Sequence, residues 1–463
     1  MSKKSSIHFD ISERKVLLRI LDIASVLSLL YGIGLVFDFD YFKINEEHWV
    51  WSIVLGLYIA VFATIFELYN LQKASKFEVV IQNIILTSSV TVLFYLLTPF
   101  FTPELPENRL QIVYFYLAVN IALLIWRYAY ISLISTPRFN KKVLLITSFD
   151  SLKPIINSLH KSDPNYRVVG YVDTSTVKES VSVEGIKAYQ KKSLINDVEE
   201  DFISEIVVAL PNGKGMTPTL NSLLIRLLEK GTPIREYTQV YEENTRRVPV
   251  HHAEQDFYRY FPFSRSNQNK FYLFFHRVLD LLFSIIGLIF GIVIFPIVLL
   301  GNLFANRGPL FYSQVRVGKN SKEFRIYKLR TMIVDAEKEG ARYASTNDTR
   351  ITKFGKFLRK TRIDEIPQFI NVIKGEMSVI GPRPERPVFV KELSKQIPFY
   401  EVRHLVKPGV TGWAQVNAKY GASKEDALEK LQYDLYYIKR RSLFLDISIV
   451  IKTLSTIIFY RGQ

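Results

Sequence analysis

Five long apolar runs constrain this chain more than any other feature of its sequence. Four of them lie in the first third of the chain, at about 16–37, 49–69, 79–101 and 110–134. A helix needs about 20 apolar residues to cross a hydrocarbon core roughly 30 Å thick, and each run reaches that length. The sequence therefore predicts an α-helical N-terminal bundle of four transmembrane helices over residues 1–137. A buried four-helix core is the alternative interpretation of the same runs.

The segments that connect these runs carry charge unevenly. Basic residues precede the first run, separate the second from the third and follow the fourth: Lys3, Lys4, Arg14, Lys15, Arg19, Lys73, Lys76, Arg138, Lys141 and Lys142. The other two connections are mainly acidic, with Asp38, Asp40, Glu46, Glu47, Glu104 and Glu107. Cytoplasmic connections of membrane proteins are enriched in Lys and Arg. Both ends of the predicted bundle are therefore expected to face the cytoplasm.

Residues 138–240 change to short β-rich runs that alternate with helical ones. Strands are predicted at Val143–Thr147, Val168–Val172 and Glu205–Leu210, and a helix at 217–230. This alternation is typical of a parallel α/β sheet. The turn after the first strand, Ser148–Ser151, contains no glycine, although glycine is what lets a backbone approach a pyrophosphate closely. We interpret the segment as a Rossmann-like α/β domain that lacks the glycine-rich loop and serves packing or assembly.

The fifth apolar run, at 278–304, follows a polar and aromatic stretch at 241–270 that reads as a linker. Pro296 lies inside the run, and a proline removes one helical hydrogen bond and clashes with the preceding turn. Both flanks are basic, so a full crossing would place a basic C-terminal region outside, against the charge rule. The sequence predicts a re-entrant helix that breaks at Pro296 and returns to the same side. An ordinary kinked spanning helix is the alternative.

The net charge narrows the class of partner. The chain has 60 Lys and Arg against 44 Asp and Glu, a formal net charge of +16. Such an excess favours anionic partners: nucleic acid, lipid headgroups or phosphorylated substrates. The chain contains no Cys, which excludes thiolate catalysis, a disulfide scaffold and cysteine zinc sites. No H-E-x-x-H pair occurs among the 7 His residues, which argues against a dedicated zinc enzyme.

Six short motifs follow one another between residues 308 and 415. They are Gly308-Pro309 with Gln314-Val315-Arg316-Val317-Gly318, then Tyr327-Lys328-Leu329-Arg330-Thr331-Met332, Arg359-Lys360-Thr361-Arg362-Ile363-Asp364-Glu365-Ile366-Pro367-Gln368, Gly375-Glu376-Met377-Ser378, Gly381-Pro382-Arg383-Pro384-Glu385 and Lys407-Pro408-Gly409-Val410-Thr411-Gly412-Trp413-Ala414-Gln415. In this order they resemble the bacterial sugar transferase family, the polyprenyl-phosphate sugar-1-phosphate transferases. With the preceding spans and α/β domain, the chain resembles the large, membrane-bound, multi-domain members of that family. The resemblance implies an α+β monotopic catalytic domain over residues 271–463.

The residues around Asp364 suit such chemistry on their own. A helix is predicted over residues 365–374, with Asp364 at its cap position, Glu365 and Pro367 in its first turn and Gly375 at its end. A helix N-terminus favours ionised carboxylates and bound phosphates. An ionised Asp beside a phosphate can attack phosphorus, and an adjacent carboxylate can hold Mg²⁺. The alternative is that Asp364 only caps the helix.

The resemblance implies a role for each residue of the motifs. Asp364 is the expected nucleophile, and Glu365, together with Asp364, is the expected Mg²⁺ site. Arg359 and Arg383 match the family's phosphate-binding arginines, whose planar forks suit phosphate oxygens. Second-tier phosphate candidates, for which a solvated surface charge is the alternative, are Arg316, Lys328, Arg330 and Lys407. Candidates for nucleotide contact or loop support are Thr411 and Gln415.

The implied reaction joins a soluble donor to a membrane acceptor. Asp364 would attack the β-phosphorus of a UDP-sugar, by resemblance UDP-glucose or UDP-galactose, and release UMP. Undecaprenyl phosphate would then attack the sugar-phosphoryl aspartate and start lipid-linked exopolysaccharide, capsule or O-antigen synthesis. The expected location is the bacterial inner membrane, with the catalytic domain facing the cytoplasm. A homodimer through the α/β domain is a further hypothesis.

Two other classes of function remain open at this stage. One is a polytopic membrane sensor or transport protein with an anion-binding cytoplasmic domain, although a sensor has no need of a nucleophile at a phosphate site. The other is a nucleic-acid binder. Against it, the basic residues are interleaved with Gly-Pro turns instead of forming a helix or a stacking sheet, so nucleic acid is not an expected partner.

Overall fold

The chain divides into two compact units, Met1–Val240 and Tyr241–Gln463. The computed structural model describes residues 11–37, 48–69, 77–98, 100–133, 141–162, 166–174, 185–210, 215–250, 269–334, 348–418 and 423–458, together with residues 39, 41, 42, 336 and 421.

Four apolar helices open the N-terminal unit: α1 (Ile11–Val36), α2 (Trp49–Ile65), α3 (Phe77–Leu96) and α4 (Leu110–Leu133). They share a hydrophobic core that includes Leu55, Tyr95 and Phe115. Two stretches, Val16–Val36 and Leu110–Ser132, are long and apolar enough to cross a membrane, whereas α2 and α3 give shorter apolar helices. The prediction of a helical N-terminal region with several apolar helices is confirmed.

A buried ion pair joins α1 to α4. Arg127 Nη2 donates to Asp22 Oδ2 at 2.6 Å, and both side chains are fully buried. A second polar contact lies between α3 and α4, where Ser88 Oγ donates to Asn120 Oδ1 at 2.8 Å. An unpaired charge in apolar surroundings is costly, so the pairing of Arg127 with Asp22 fixes the two helices against each other.

The α/β part of the N-terminal unit is a five-stranded parallel sheet in the order β3-β2-β1-β4-β5. Its elements in chain order are β1 (Lys141–Thr147), α5 (Phe149–Ser162), β2 (Tyr166–Asp173), β3 (Lys187–Ala188), α6 (Leu194–Glu200), β4 (Glu205–Ala209), α7 (Pro218–Glu229) and β5 (Ile234–Glu236). Thr217 caps α7 by accepting from Leu220 N, and Gly231 follows it with φ +86°. The predicted strands, helix and parallel sheet are confirmed.

The C-terminal unit combines helices with two small sheets. After α8 (Tyr237–Thr245) its elements are α9 (Lys270–Gly301), β6 (Phe311–Val317), β7 (Glu323–Leu329), α10 (Lys353–Lys360), α11 (Gln368–Lys374), β8 (Ser378–Ile380), α12 (Pro387–Gln396), β9 (Gly409–Thr411), α13 (Trp413–Asn417), α14 (Lys424–Arg440) and α15 (Leu443–Ile458). Strands β6 and β7 form an antiparallel hairpin, and β8 pairs with β9 in parallel.

Helix α9 contains the fifth apolar run, and it continues through Pro296. The prediction that the helix breaks at this residue is wrong, because the residues on both sides are α-helical. A proline removes only its own N–H from the hydrogen-bond ladder, and packing beyond it holds the last turns in place: Val298 is buried beside Leu329 and Leu358. A π-helical turn, Asn302–Asn306, follows.

One face of α9 packs along the rest of the C-terminal unit. Asp280 Oδ1 accepts from Ser378 Oγ and from Val379 N, both at 2.8 Å. Two turns later, a Cβ on Gly287 would overlap the ring of Phe369. Asp280 thus faces polar partners within the folded domain, whereas most apolar side chains of this helix are exposed.

The described part of the predicted 241–270 linker, residues 241–250 and 269–270, is ordered by contacts with the C-terminal unit. Glu242 pairs with Lys439, Arg247 Nη1 pairs with Glu429 at 3.0 Å, and Val248 and Val250 are buried in the core that contains Trp413. Residues 251–268 lie outside the described residues. The first ten residues of the stretch are therefore part of this unit and not a free connection.

Candidate active site

Asp364 and Glu365 lie on a short 3₁₀ turn, Ile363–Glu365, that precedes helix α11. The helix was predicted to begin at Glu365, but it begins at Gln368, and neither carboxylate caps it. Successive backbone bonds join residues three apart, from Glu365 N to Arg362 O and from Ile366 N to Ile363 O. Pro367 has no N–H to give to an α-helical ladder, so regular helix starts only after it. Gly375 ends the helix with φ +83°, as predicted.

Glu365 is surrounded by three cations. Its Oε1 accepts from Lys328 Nζ at 3.3 Å and from Arg383 Nη1 at 3.2 Å. Its Oε2 accepts from Arg362 Nη1 at 3.1 Å. Burial alone would raise the pKa of this carboxyl, but the three neighbouring cations hold the pKa of Glu365 well below its usual range. Glu365 is therefore ionised at neutral pH and compensates the charge of its partners.

Asp364 has a different environment although it is the adjacent residue. It is 7% exposed, and its carboxylate makes no hydrogen bond or ion pair with any other described side chain. Burial, and then repulsion from Glu365, raises the pKa of Asp364 to about 6, while Lys328, Arg359 and Arg383 act in the opposite direction. A buried carboxylate with free lone pairs among cations can serve as a nucleophile toward an anionic phosphate that the cations attract.

A small, open pocket lies beside this pair. Three of its lining residues are cationic and come from different motifs: Arg316 from β6, Lys328 from β7 and Arg383 from the loop after β8. The remaining lining residues are Ile326, Gln368, Pro384 and Gly409. Lys328 and Arg383 link the pocket to the carboxylate pair, because both also contact Glu365. The pocket is suited to a phosphorylated ligand.

Two buried side chains outside the predicted set fix this geometry. Asn371 on α11 accepts from Tyr327 N at 3.1 Å and donates to Arg325 O at 2.7 Å, which ties the helix to β7 beside Lys328. Arg403 donates to the backbone oxygen of Arg383 at 3.1 Å, and its charge is paired with Asp434 at 2.8 Å. Each contact positions a cation that faces Glu365.

Arg359 lies on the last turn of α10, where its Nε donates to Thr331 Oγ1 at 2.8 Å. Its positive charge acts on Asp364, since it is one of the groups that lower the pKa of that carboxyl. Arg316 donates to Gln314 Oε1 at 2.7 Å and to Pro384 O at 3.3 Å. Of the predicted phosphate ligands, Arg359, Arg383, Arg316 and Lys328 are thus brought near the carboxylates or the pocket.

The other predicted site residues lie elsewhere. Arg330 donates to three backbone oxygens, those of Asn306, Pro309 and Met332, and so fixes the chain after α9. Among the described residues, Lys407 neither lines the pocket nor contacts Glu365; its Nζ lies near Gly375. The two candidates for nucleotide or loop contact bond locally, Thr411 with Thr453 and Gln415 with Val410 O.

The two adjacent carboxylates also fit a divalent cation. Mg²⁺ commonly takes one or two protein carboxylates and completes its octahedral shell with water and substrate phosphates. No cluster of three or more His, Asp or Glu side chains that could hold a metal occurs in the part of the chain that the structure describes. Asp364 has no partner there, whereas both oxygens of Glu365 already accept from cations that a metal ion would have to displace.

Sequence reasoning missed two residues of the same motif. Arg362, with φ +54°, pairs with Glu365, and Gln368 lines the pocket. Arg362 lies two residues before Asp364, and Gln368 lies three residues after Glu365. Their place in the same motif was therefore the one feature of the sequence that could have pointed to them. What separates them from the other residues of the motif is side-chain direction, which the motif spacing does not give.

Two family models match the chain. Residues 271–460 match the model described as bacterial sugar transferase, and residues 64–228 match the one described as CoA-binding domain. The first therefore covers the carboxylate pair, the pocket and α9, and the second covers most of the parallel sheet.

Curated relatives agree with the first match. The chain is 42% identical over 227 residues, 49% of this chain and 52% of the relative, to a UDP-N-acetylgalactosamine-undecaprenyl-phosphate N-acetylgalactosaminephosphotransferase of Aeromonas hydrophila. It is 30% identical over 339 residues, 71% of this chain and 61% of the relative, to an undecaprenyl-phosphate glucose phosphotransferase of Komagataeibacter xylinus. An uncharacterized sugar transferase of Bacillus subtilis is 35% identical over 193 residues, 40% of this chain and 90% of the relative. The chain thus spans less than two thirds of the first two relatives and nearly all of the third.

Proposed function

This chain belongs to the bacterial sugar transferase family, and from the geometry around Asp364 we propose that it transfers a sugar-1-phosphate from a UDP-sugar to undecaprenyl phosphate. The observation that carries the proposal is the contrast within the carboxylate pair. Glu365 is neutralised by three cations, while Asp364 is buried beside them without a partner among the described residues. The names of the relatives, which include glucose and N-acetylgalactosamine transferases, favour a UDP-hexose donor.

Catalysis proceeds in two displacements at one phosphorus. The Asp364 carboxylate attacks the β-phosphorus of the donor, and the bond from that phosphorus to the oxygen bridging the two phosphates breaks, so UMP leaves with the bridging oxygen. The undecaprenyl phosphate oxygen then attacks the same phosphorus. The bond to the Asp364 oxygen breaks, which releases undecaprenyl-diphosphate-sugar and restores the carboxylate. Arg383, Lys328 and Arg359 stabilise the phosphate oxygens in both displacements.

The first displacement needs ionised Asp364, and the surroundings make that form reactive. Burial removes water from the carboxylate, and the cations keep enough of it ionised near neutral pH. Asp364 and Glu365 are the residues that would hold Mg²⁺, whose chemistry is the neutralisation of the diphosphate oxygens. Glu365 also keeps Lys328 and Arg383 directed toward the pocket when no substrate is bound.

Helix α9 is proposed to lie in the cytoplasmic leaflet, with both of its ends on the cytoplasmic side of the membrane. A helix of 32 residues is about 48 Å long and exceeds the hydrocarbon thickness. Contacts with the rest of the C-terminal unit occur near both of its ends, at Tyr272, whose hydroxyl donates to Asp446 Oδ2 at 2.8 Å, and at Val298. A crossing helix would separate these contacts by the bilayer, so a monotopic arrangement over residues 271–463, with α9 lying in one leaflet, fits them better.

Four spans at residues 1–137, with both ends in the cytoplasm of a bacterial inner membrane, complete the proposed topology. The domain division is proposed as the bundle, the α/β domain at 138–240, the connection at 241–270 and the catalytic domain after it. The chain has no native Cys, so single cysteines at Lys270 and Arg307 can be labelled from one face of sealed vesicles. Labelling of both from the cytoplasmic face is expected; labelling from opposite faces would make α9 a spanning helix.

The proposed activity is tested with the full chain in nanodiscs containing undecaprenyl phosphate. UDP-glucose, UDP-galactose and UDP-N-acetylgalactosamine are supplied separately with Mg²⁺, and UMP release is followed. At least one donor should release UMP, and the Asp364→Asn variant should release none. Equal turnover by that variant would contradict the phosphoryl-aspartate mechanism.

A homodimer through the α/β domain stays a prediction, and crosslinking in native-like membranes that yields only monomer would contradict it.

A further inference from the structure

Gln368 is a buried polar side chain of this site that the proposed chemistry leaves unused. It is the first residue of α11, is 2% exposed and lines the pocket with Arg316, Lys328 and Arg383. Its Nε2 has no hydrogen-bond acceptor among the described residues. Burying an amide donor without an acceptor is costly, and folded proteins contain few such groups. The donor of Gln368 is therefore left for an acceptor outside the described residues.

Asn371, one turn later on the same helix, shows the contrasting case of a structural amide. Its Nδ2 donates to Arg325 O and to Glu376 Oε2, both at 2.7 Å, and its Oδ1 accepts from Tyr327 N. Every polar atom of Asn371 is thus used to hold α11 against its neighbours. Gln368 is also buried and is one of the residues that line the pocket, but its donor nitrogen holds nothing among the described residues.

We propose that Gln368 binds substrate, with its Nε2 donating a hydrogen bond to a diphosphate oxygen of the nucleotide-sugar. This inference rests on the proposed function. The three cations that share the pocket select an anionic group, and an amide N–H is the neutral donor that complements an oxyanion without adding charge. Arg and Lys supply the attraction to the diphosphate, and Gln368 supplies a directed contact that fixes its orientation against Asp364.

The test compares two leucine variants of the full-length protein in detergent. Gln368→Leu removes the donor at nearly constant volume, and Asn371→Leu is the matched control. UDP binding is measured by calorimetry, which does not depend on turnover, and melting temperatures are measured in parallel. Gln368→Leu should weaken UDP binding about 10- to 100-fold, the range for a hydrogen bond to a charged group, with a melting temperature no lower than that of the wild type. Asn371→Leu should lower the melting temperature.

Wild-type UDP affinity in Gln368→Leu would overturn the inference, because Nε2 of Gln368 would then not bind the diphosphate and would contact the sugar or stabilise the fold instead. Should Gln368→Leu fail to fold, Gln368→Glu keeps the shape and replaces the donor with a negative acceptor, and it should weaken UDP binding at least as much. The two hypotheses fail separately. Absence of UMP release by a wild type that binds UDP would contradict the proposed reaction, whereas unchanged UDP affinity in the variants would contradict only the role of Gln368.

Discussion

Asp364 and Glu365 are adjacent in the chain, yet their carboxylates occupy opposite electrostatic environments. Glu365 accepts from Lys328, Arg362 and Arg383, while Asp364 has no partner among the described side chains. Burial raises the pKa of Asp364, and the three cations hold the pKa of Glu365 far below it. Glu365 thereby neutralises and positions its cationic neighbours, and Asp364 is left free to react.

Removing the two charges should therefore change stability in opposite directions. Asp364→Asn removes a carboxylate whose ionised form is disfavoured, so the melting temperature at pH 7.5 should be unchanged or higher. Glu365→Gln leaves three partly buried cations without their shared carboxylate and should lower the free energy of unfolding by about 1–3 kcal/mol. Both variants should lose at least about 10³-fold in kcat. Thermal unfolding and UMP release measured on the same preparations check this, and a destabilised Asp364→Asn would contradict the assignment.

Activity should depend on the ionisation of Asp364. Its raised pKa, about 6, means that the folded protein holds this proton up to about pH 6. Because attack on phosphorus needs the carboxylate, kcat/KM should rise through that pH and level off above it. The same raised pKa means that the stabilising contribution of protonated Asp364 is present at low pH and is lost as pH rises through about 6. Glu365, with its lowered pKa, contributes stability that is lost only in stronger acid.

The measurement is the pH profile of UMP release between pH 5 and 8, with circular dichroism at each pH as the control for unfolding. Asp434 is a second carboxyl whose pKa burial raises to about 6. The Asp434→Asn variant therefore serves as the comparison, and it should keep the same midpoint. A flat profile in the wild type, or a midpoint that moves in Asp434→Asn, would assign the ionisation to another group.

Much of this architecture was predictable because it depends on local composition and on the spacing of apolar residues along the chain. The apolar runs gave helices α1 to α4 and α9, and β-branched runs bounded by turns gave β1, β2 and β4. Thr217 and Gly231 marked the ends of α7, since capping and positive φ are local properties. The ordered motifs gave Asp364, Glu365 and Arg383. Each of these depends on chemistry that neighbouring residues alone define.

The remaining features depend on tertiary contacts, and the sequence could not supply them. Pro296 did not interrupt α9, since packing of Val298 outweighed the loss of one hydrogen bond. Arg330 resembles a phosphate ligand by motif, but three backbone oxygens take its guanidinium. Arg403 gave no signal, because it lies between two motifs and its contact with the backbone oxygen of Arg383 forms only in the folded chain.

Arg403 should contribute strongly to stability through its buried ion pair with Asp434. Arg403→Met leaves buried Asp434 without a counter-charge, which should cost about 3–5 kcal/mol. The double variant with Asp434→Asn should lose less than the sum of the single changes, because neither charge is then left alone. Denaturant unfolding of the wild type, the two single variants and the double variant gives this double-mutant cycle. Asp201→Asn, which breaks an exposed pair with Lys187 in the other unit, is the control and should change little. Strict additivity in the cycle would contradict coupling between Arg403 and Asp434.

Helix α9 should control the catalytic turn through its glycines. A Cβ on Gly287 would overlap the ring of Phe369, and one on Gly291 would lie 2.7 Å from Ile366 Cγ2. Ile366 directly follows Glu365 and Phe369 directly follows Gln368, so Gly287→Val should displace the start of α11. Overpacking of this kind costs about 1–3 kcal/mol, and kcat should fall about tenfold or more, because a small shift of the reacting groups is enough for that.

The matched control is Gly32→Val on α1, where a new Cβ meets no atom within 4 Å. Both substitutions place valine on an apolar helix, so effects of valine on membrane insertion are shared between them. Membrane yield, melting temperature and UMP release are compared for the two. Gly32→Val should keep wild-type turnover. Equal loss in both variants would mean that the substitution acts on insertion, and normal turnover in Gly287→Val would show that the contact with Phe369 does not position the carboxylate pair.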